Sequence, residues 1–202
     1  VSRPVTLKMR LGWDRQTINA PQLARRAQDA GIQMITVHGR TRDQFYKGTA
    51  DWAAIAEVSD AITVPLIVNG DIATDQDAIK ALTVANADGV MIGRASYGAP
   101  WLVGQIGARL SQEKINNAPA GSEFSDLVSR HYEAIIAHYG AQLGVRNARK
   151  HIDWYWKHLP AQAKDQNLRR ALMTSVDPVF VADTIRQQFR EVSWPCDYGR
   201  AA

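Results

Sequence analysis

The stretch Val64–Arg94, VPLIVNGDIATDQDAIKALTVANADGVMIGR, contains two short apolar runs with a helical pattern between them. Each run ends in glycine and a polar side chain, as Asn69-Gly70-Asp71 after the first and Gly93-Arg94 after the second. Apolar runs without polar alternation are typical of strands buried on both faces of a parallel sheet. The stretch therefore predicts strand, loop, helix, strand and loop. The loops that follow such strands are where α/β proteins bind their ligands.

The same alternation extends through the first 110 residues. We predict strands over Pro4–Gly12, Ile32–Val37, Val64–Val68 and Gly89–Ile92, and helices over Pro21–Ala30, Trp52–Val58, Asp75–Ala85 and Pro100–Leu110. Four strand–helix units indicate a parallel sheet with right-handed crossovers. They amount to half of a TIM (β/α)8 barrel. A small open doubly wound sheet is the alternative, although no G-x-G-x-x-G follows the first strand.

The strand signal disappears after residue 110. Residues 111–122 are rich in Asn, Ala, Pro and Gly, and we interpret them as a linker. Beyond it, four helical stripes predict a small α-helical bundle over residues 123–192. The predicted helices are Phe124–Tyr139, which Gly140 stops, Val145–Leu159, Asn167–Met173 and a last one that Asp177-Pro178 begins.

Composition limits the class of protein. Hydrophobic residues make up 46% of the 202, enough for a sizeable core, and no apolar run approaches the length of a membrane span. The single cysteine, Cys196, argues against an internal disulfide and against a cysteine-rich metal site. The net charge of +4 is compatible with a polyanionic partner. We therefore expect a cytoplasmic protein with no membrane partner and no metal.

Polar side chains cluster directly after the predicted strands. They are Lys8 and Arg10, His38 and Arg40, Asn69 and Asp71, and Arg94. In a parallel barrel these positions share one rim, which is the active face. A glycine and an arginine that open the helix after the fourth strand suit a phosphate, because backbone N–H groups and a guanidinium both bind anions. A glycine after Asn69 lets the backbone approach a ligand closely.

Each of these residues also has a structural interpretation. Lys8 is alternatively a solvated strand end, His38 a hydrogen-bonded structural histidine, Asp71 and Asn69 turn residues, and Arg94 the partner of a carboxylate. In the helical region, Arg146, Lys150 and Lys157 lie on one face at i, i+4 and i+11, with Arg149 beside them. Asp153 interrupts that face, so solvated surface is the alternative to a nucleic-acid contact.

Taken together, the motifs resemble the bacterial tRNA-dihydrouridine synthases, and most of all the B-type of proteobacteria. The matching segments are LKMRLG (7–12), TVHGRT (36–41), VNGDI (68–72), MIGR (91–94), GAPW (98–101), His131-Tyr132 and RNARKH (146–151). Four barrel motifs in order, followed by the helical tail, make the resemblance specific and extend it over nearly the whole chain.

The resemblance implies an FMN-dependent barrel that reduces a tRNA uridine to 5,6-dihydrouridine, with NADPH as the reductant of the flavin. It implies cofactor contacts at Lys8, His38, Asn69, Gly70, Asp71, Gly93 and Arg94. It implies tRNA contacts at Arg10, Arg40, Arg146, Arg149 and Lys150. Contacts to a folded tRNA are expected to be mainly phosphate and shape contacts, with the target uridine out of its stack.

The chain departs from the family in one respect. The family's general acid is a cysteine in the first half of the barrel, and Cys196 does not match it. The chain resembles barrel strands five to eight (residues 1–110), a linker (111–122) and a helical tRNA-binding domain (123–202). We therefore expect no catalytic residue in this chain, weak FMN binding and no turnover by the isolated chain. The oligomeric state stays open, with a monomer expected for the full-length enzyme.

Two other functions remain compatible with the residues. One is a different flavin- or phosphate-binding barrel oxidoreductase that acts on a small metabolite. The other is a non-catalytic RNA-binding fragment in which the helical region is the working part.

Overall fold

The computed structural model describes residues 2–194, so Val1 and residues 195–202, which include Cys196, lie outside the described residues. The chain is an α/β protein with a four-stranded sheet and helices. The strands are β1 Thr6–Arg10, β2 Met34–His38, β3 Leu66–Asn69 and β4 Gly89–Met91. The helices are α1 Ala20–Asp29, α2 Ala53–Ala61, α3 Asp75–Ala85, α4 Trp101–Leu110, α5 Gly121–Trp156, α6 Gln166–Thr174 and α7 Pro178–Gln188. Short 3-10 turns cover Arg94–Ser96, Ala161–Ala163 and Phe189–Glu191.

The sheet has the order β1-β2-β3-β4, and every neighbouring pair is parallel. The parallel sheet that the apolar runs predict is therefore confirmed. The two central strands are largely buried, as their uninterrupted apolar sequences require, whereas β1 alternates between exposed and half-buried positions. Because all strands run in one direction, their carboxyl ends meet at one edge of the sheet.

Helix α3 has the bounds that its sequence predicts, Asp75–Ala85. Thr74 and Asp77 form a capping box, in which the Asp77 N–H donates to Thr74 Oγ1 and the Thr74 N–H donates to Asp77 Oδ2, both at 3.0 Å. The helix buries Ala78, Ala81 and Ala85. Ile79, which we expected in the buried stripe, is exposed. The small alanines face the sheet because they allow the helix to approach it closely.

The described residues form two compact units. The first comprises residues 2–96 and 105–114, and the second comprises residues 97–104 and 115–194. The second unit has its own hydrophobic core, built around Phe124, Ile152, Leu172, Ile185 and Phe189. Among residues 2–194 no helix combines the length and the apolar character that crossing a bilayer requires.

Helix α5 is kinked where the sequence predicts a stop. Gly140 has φ 73° and ψ 167°, a left-handed conformation that favours glycine. The two halves of α5 fold back on each other, because His131 Nδ1 lies 3.0 Å from the Tyr155 hydroxyl although 24 residues separate them. Tyr139, which we expected on the buried face, is exposed just before the kink.

The predicted cap at Asp177, at the start of α7, is confirmed by a 2.9 Å hydrogen bond from the Val179 N–H.

The hairpin of α5 generates a stability prediction at Gly144. A Cβ at this position lies only 3.0 Å from Ile136 Cα and 3.2 Å from the Ile135 carbonyl oxygen, so backbone has to move. Gly144→Ala is expected to lower the free energy of unfolding by about 1–2 kcal/mol, because overpacking outweighs the better helix propensity of alanine. Urea unfolding followed by circular dichroism measures the change.

Gly107 in α4 is the matched control, because nothing lies within 4 Å of a Cβ built there. Gly107→Ala is expected to stabilise the protein by up to about 1 kcal/mol through helix propensity alone. Equal effects of the two substitutions contradict the close approach of the α5 halves.

Candidate functional site

The register of the sheet brings the predicted site residues into one row. Arg10 pairs with His38, His38 with Asn69, and Asn69 with Met91, so one row crosses all four strands at their carboxyl edge. Lys8 lies two residues before Arg10 on the same strand and therefore on the same face. Three residues that are far apart in sequence, Arg10, His38 and Asn69, thus share one edge.

His38 is the most buried ionisable side chain of this row, with 7% of its surface exposed. Its Nδ1 atom is buried and has no hydrogen-bond partner in residues 2–194. Burial, together with the positive charges of Arg10, Lys8 and Arg40, lowers the pKa of His38 to about 4, although Asp71 opposes the shift. The imidazole is therefore neutral at pH 7, and its buried Nδ1 is left without a hydrogen-bond partner within residues 2–194.

Lys8, on the same face as the row, is a second residue whose pKa is shifted. Partial burial lowers the pKa of its amine, and the nearby guanidinium of Arg10 lowers it further. Both effects disfavour the ammonium form, so a negatively charged ligand beside Lys8 would relieve an unfavourable concentration of like charge.

The buried side chain of Arg40 forms an ion pair with the partly exposed carboxylate of Asp71. Only 1% of Arg40 is exposed, and its Nη1 and Nη2 donate to the two carboxylate oxygens of Asp71 at 2.9 and 2.5 Å. Its Nε and Nη2 also donate to the carbonyl oxygens of Lys47 at 3.2 Å and Gly48 at 2.6 Å. The guanidinium thus ties the loop after β3 to the loop after β2. The expected tRNA contact at Arg40 conflicts with this burial.

Asp71 is occupied by donors of the protein itself. Besides Arg40, the Ala50 N–H donates to Oδ2 at 2.7 Å, and Arg94 Nη2 lies 3.5 Å from Oδ1. Burial alone would raise the pKa of this carboxyl, but the hydrogen bonds and charges of its partners outweigh burial and lower the pKa. The structural interpretation of Asp71 as a turn residue fits these contacts, and its φ of 55° places it in the left-handed region.

Tyr46 is a site residue that the sequence analysis missed. Its ring lies 4.5 Å from the guanidinium carbon of Arg94 and 5.5 Å from that of Arg10, and it meets His38 edge-on at 6.5 Å. Arg10 also donates to the carbonyl oxygens of Thr41 and Phe45 at 2.7 and 2.8 Å. Tyr46 lies in an irregular loop, where no periodic pattern distinguishes a site residue from solvated surface.

The backbone around Asn69 and Gly70 is closely packed, whereas the space around Gly93 is open. Gly70 has φ 115°, and a Cβ there would lie 3.0 Å from the His38 ring, so only glycine lets this backbone pass the imidazole. Asn69 Nδ2 donates to the Met91 carbonyl at 2.7 Å and so joins β3 to β4. Around Gly93 a Cβ would meet no atom within 4 Å.

One expectation for Gly93-Arg94 is wrong. These residues do not open the helix after β4, because Arg94–Ser96 is a single 3-10 turn and α4 begins only at Trp101. What the structure has at this place is the half-exposed guanidinium of Arg94, a group that can bind anions, rather than a helix N-terminus.

In the second unit the expected basic face contains exposed cations and one arginine that is bound to protein carbonyls. Arg146 and Lys150 are exposed on α5. Arg149 turns into the fold, where its Nη2 donates to the carbonyl oxygens of Thr174 and Ser175 at 3.2 and 3.1 Å, at the end of α6. Arg149 thus satisfies carbonyls at a helix C-terminus, which conflicts with the expected tRNA contact.

Within residues 2–194 no group of three or more His, Cys, Asp or Glu side chains is arranged to hold a metal ion.

Comparison with known proteins gives a consistent result. The family model described as "Dihydrouridine synthase (Dus)" matches residues 1–193. A "Probable tRNA-dihydrouridine synthase" of Rhodobacter capsulatus is 51% identical over 191 residues, which cover 95% of this chain and 57% of that protein. A protein of the same name from Rickettsia conorii is 47% identical over 192 residues, 95% of this chain and 57% of its own.

A B-type relative matches a shorter part. The "tRNA-dihydrouridine synthase B" of Xanthomonas axonopodis pv. citri is 46% identical over 163 residues, which cover 81% of this chain and 49% of that protein. The chain therefore spans between 49% and 57% of the length of these curated relatives.

The ion pair between Arg40 and Asp71 generates a stability prediction. Arg40→Gln removes the bidentate contact to Asp71 and the contacts to the carbonyl oxygens of Lys47 and Gly48, and we expect the free energy of unfolding to fall by about 2 kcal/mol. Arg25→Gln is the matched control, because Arg25 pairs with Asp29 at 3.5 Å with both side chains well exposed. The control is expected to change stability by less than about 0.5 kcal/mol. Urea unfolding compares them, and equal losses contradict the structural role of Arg40.

The lowered pKa of His38 generates a pH prediction. The unfolded state binds a proton at His38 below about pH 6.5, whereas the folded state resists it down to about pH 4. The contribution of His38 is therefore fully favourable above pH 6.5 and is lost as the pH falls toward 4, by an amount of order 3 kcal/mol.

The measurement is urea unfolding between pH 4.5 and 7.5 on the wild type and on His38→Gln, which cannot titrate. We expect the stability of the wild type to fall more steeply with acidity than that of the variant. Parallel curves contradict the burial of a neutral imidazole, while the other histidines cancel in the comparison.

Proposed function

Because the chain belongs to the dihydrouridine synthase family, we propose that it serves the FMN- and NADPH-dependent reduction of a tRNA uridine to 5,6-dihydrouridine. The names of its relatives from R. capsulatus and R. conorii support this reaction. The reaction is proposed for a protein of the relatives' length, because this chain spans 57% of each of them. The observation that carries it in this chain is the row Arg10, His38 and Asn69 with the unpartnered buried Nδ1 of His38. A cytoplasmic location, where tRNA is found, belongs to the same proposal.

The four strand–helix units are proposed to be the C-terminal half of a (β/α)8 barrel. Their strand order β1-β2-β3-β4 supports a barrel, because a doubly wound sheet reverses its strand order at a switch point. We place the barrel portion at residues 1–110, a linker at 111–122 and a helical tRNA-binding domain at 123–202, as the motifs indicate.

The residues of the row fit a flavin mononucleotide. Its ring system offers hydrogen-bonding atoms that suit Lys8 and the neutral imidazole of His38, and its phosphate suits Arg94 beside the open Gly93. Asn69 and Gly70 would lie along the ribityl chain, where glycine permits close approach. When bound, the flavin supplies hydride transfer. We assign Asp71 to the positioning of Arg40 and Arg94, because both of its oxygens are occupied.

The chain's own residues supply binding and charge. Lys8 and Arg10 place positive charge beside His38, which stabilises negative charge on a bound ring or substrate. The neutral imidazole of His38 offers a hydrogen bond without adding a further charge. No proton donor for the uracil is assigned to this chain, since the expected cysteine matches no residue of it.

The tRNA contacts are proposed to come from exposed cations. Arg146 and Lys150 meet this condition, whereas Arg40 and Arg149 are held by protein carbonyls and Asp71. Arg10 is half-buried and bound to loop carbonyls, so we propose that it shapes the loop beside the row as well as adding positive charge. Lysine and arginine contacts to phosphates make affinity depend on salt.

The proposal is tested with a chimaera in which this chain is joined to the part of the R. capsulatus relative that it does not match. We expect the chimaera to bind FMN, seen as quenching of flavin fluorescence, and to form dihydrouridine in unmodified tRNA with NADPH. Lys8→Gln is expected to weaken FMN binding about tenfold or more through loss of a charge-assisted contact. Lys80→Gln, on exposed surface of α3, is expected to leave it unchanged.

The isolated chain is assayed in parallel, and we expect weak FMN binding and no dihydrouridine. A folded chimaera that binds no flavin, or that binds flavin and leaves tRNA unreduced, overturns the proposal. Flavin binding with reduction of a small substrate alone points to the other barrel oxidoreductases.

A further inference from the structure

The second half of α5 presents a continuous row of positive charge. Arg146 and Lys150 on α5 and Lys157, the helical-conformation residue directly after it, are exposed and lie at i, i+4 and i+11, so they share one face. Asp153 had suggested an interruption, but its carboxylate accepts from Arg169 Nε at 2.9 Å and Nη2 at 2.5 Å. Among residues 2–194 none of the three cations forms an ion pair with a carboxylate. Their charge is therefore available to a polyanion.

An aromatic stack lies on the same helix face. Trp154, at i+8 from Arg146, stacks against Tyr97 with 4.2 Å between ring centroids and 16° between planes. Tyr97 is 50% exposed, so one face of its ring is covered by the indole while much of the residue remains open to solvent. The row of cations thus contains an open aromatic surface between Lys150 and Lys157.

The stack is held rigidly. Gly98 has φ 74°, and a Cβ there would lie 2.6 Å from the Trp154 carbonyl oxygen, so the chain after Tyr97 packs directly on α5. The ring of His151 meets Trp154 edge-on at 5.0 Å, and His131 supports His151 at 4.8 Å. A platform fixed in advance loses little conformational entropy when a planar ligand stacks on it.

The stack is not explained by packing of the core. The hydrophobic cluster of the second unit, including the half-buried side chains packed against it, contains neither Tyr97 nor Trp154. An exposed tyrosine ring backed by a half-buried indole, beside cations that pair with no carboxylate within residues 2–194, is a combination that single-stranded nucleic acids bind, because every base has a π-face and every nucleotide a phosphate.

The first half of α5 is less favourable for a polyanion. Glu123, Asp126 and Glu133 line a shallow cavity of about 370 Å³ there, with Arg130 and Ser129. Glu133 pairs with Arg186 at 2.9 Å, which leaves Glu123 and Asp126 against Arg130. This small excess of negative charge favours the second half of α5 for RNA.

We propose that Tyr97 and Trp154 form a stacking platform for one unpaired nucleobase of the bound RNA, while Arg146, Lys150 and Lys157 neutralise neighbouring phosphates. The proposal rests on the RNA substrate of the proposed function and adds a contact to a base to the expected phosphate contacts. Stacking tolerates any base, so the platform selects an unpaired nucleotide rather than a sequence.

The test measures binding of the 202-residue chain to an unmodified tRNA transcript, a single-stranded oligouridylate and a blunt RNA duplex by fluorescence anisotropy. Tyr97→Ala is expected to raise Kd for the tRNA and the oligouridylate at least about fivefold and to leave the duplex unchanged. Tyr97→Phe, which keeps the ring, is expected to bind like the wild type. Tyr139→Ala is the matched control, because Tyr139 is 49% exposed in the same unit and lies outside the stack.

Salt titration separates stacking from charge. Lys150→Gln is expected to lower the slope of log K against log salt by about 1 for all three RNAs, whereas Tyr97→Ala leaves the slope unchanged. If the wild type binds tRNA and Tyr97→Ala binds it equally well, the platform is overturned. The platform is also overturned if Tyr97→Ala loses as much affinity for the duplex as for the tRNA. Neither outcome affects the RNA contacts of the proposed function. Absence of any RNA binding by the folded wild type overturns the platform together with the RNA contacts of the proposed function.

Discussion

The ion pair between the buried Arg40 and Asp71 is the contact on which the candidate site depends. A guanidinium is tolerated at 1% exposure only if its donors are satisfied, and Asp71 with two carbonyls of the following loop satisfies four of them. The pair closes the loop after β2 onto the loop after β3. It thereby fixes Gly70 against the His38 ring and holds Tyr46 where two further guanidinium groups lie over it.

The electrostatic state of the site follows from this arrangement. Within residues 2–194, Asp71 is the one carboxylate among the charged groups that act on His38, against the cations Lys8, Arg10 and Arg40. Positive charge is therefore in excess, and the protein limits that excess by keeping His38 neutral. A site with surplus positive charge and a neutral imidazole is preorganised for an anionic ligand with a hydrogen-bonding ring. The charge does not have to be rearranged when such a ligand binds.

Regular elements were predictable because their signals are local. The apolar runs of β2 and β3, the capping box of α3 and the stop at Gly140 each depend on neighbouring residues, and the structure has all of them. The parallel register then follows, and it places Arg10, His38 and Asn69 side by side. The partners of Arg40 and Arg149 were not predictable, because they lie 31 and 25 residues away, across loops. An arginine that binds carbonyls and one that binds phosphate have the same local sequence signal.

Internal partners were equally unpredictable on the helix face of Arg146, where the sequence showed the carboxylate of Asp153 among cations. A charge seen in sequence is a formal charge, whereas a partner sees the charge that remains after internal pairing. Arg169 neutralises Asp153. Arg149 keeps its charge, but its Nη2 is bound to the carbonyl oxygens of Thr174 and Ser175, so the exposed row consists of Arg146, Lys150 and Lys157. Internal pairing therefore sorts cations into those that build the fold and those that remain for a ligand. An open aromatic ring among the cations that remain for a ligand indicates contact with a base as well as with a phosphate. Binding of phosphate by charge alone does not require an exposed, stacked tyrosine.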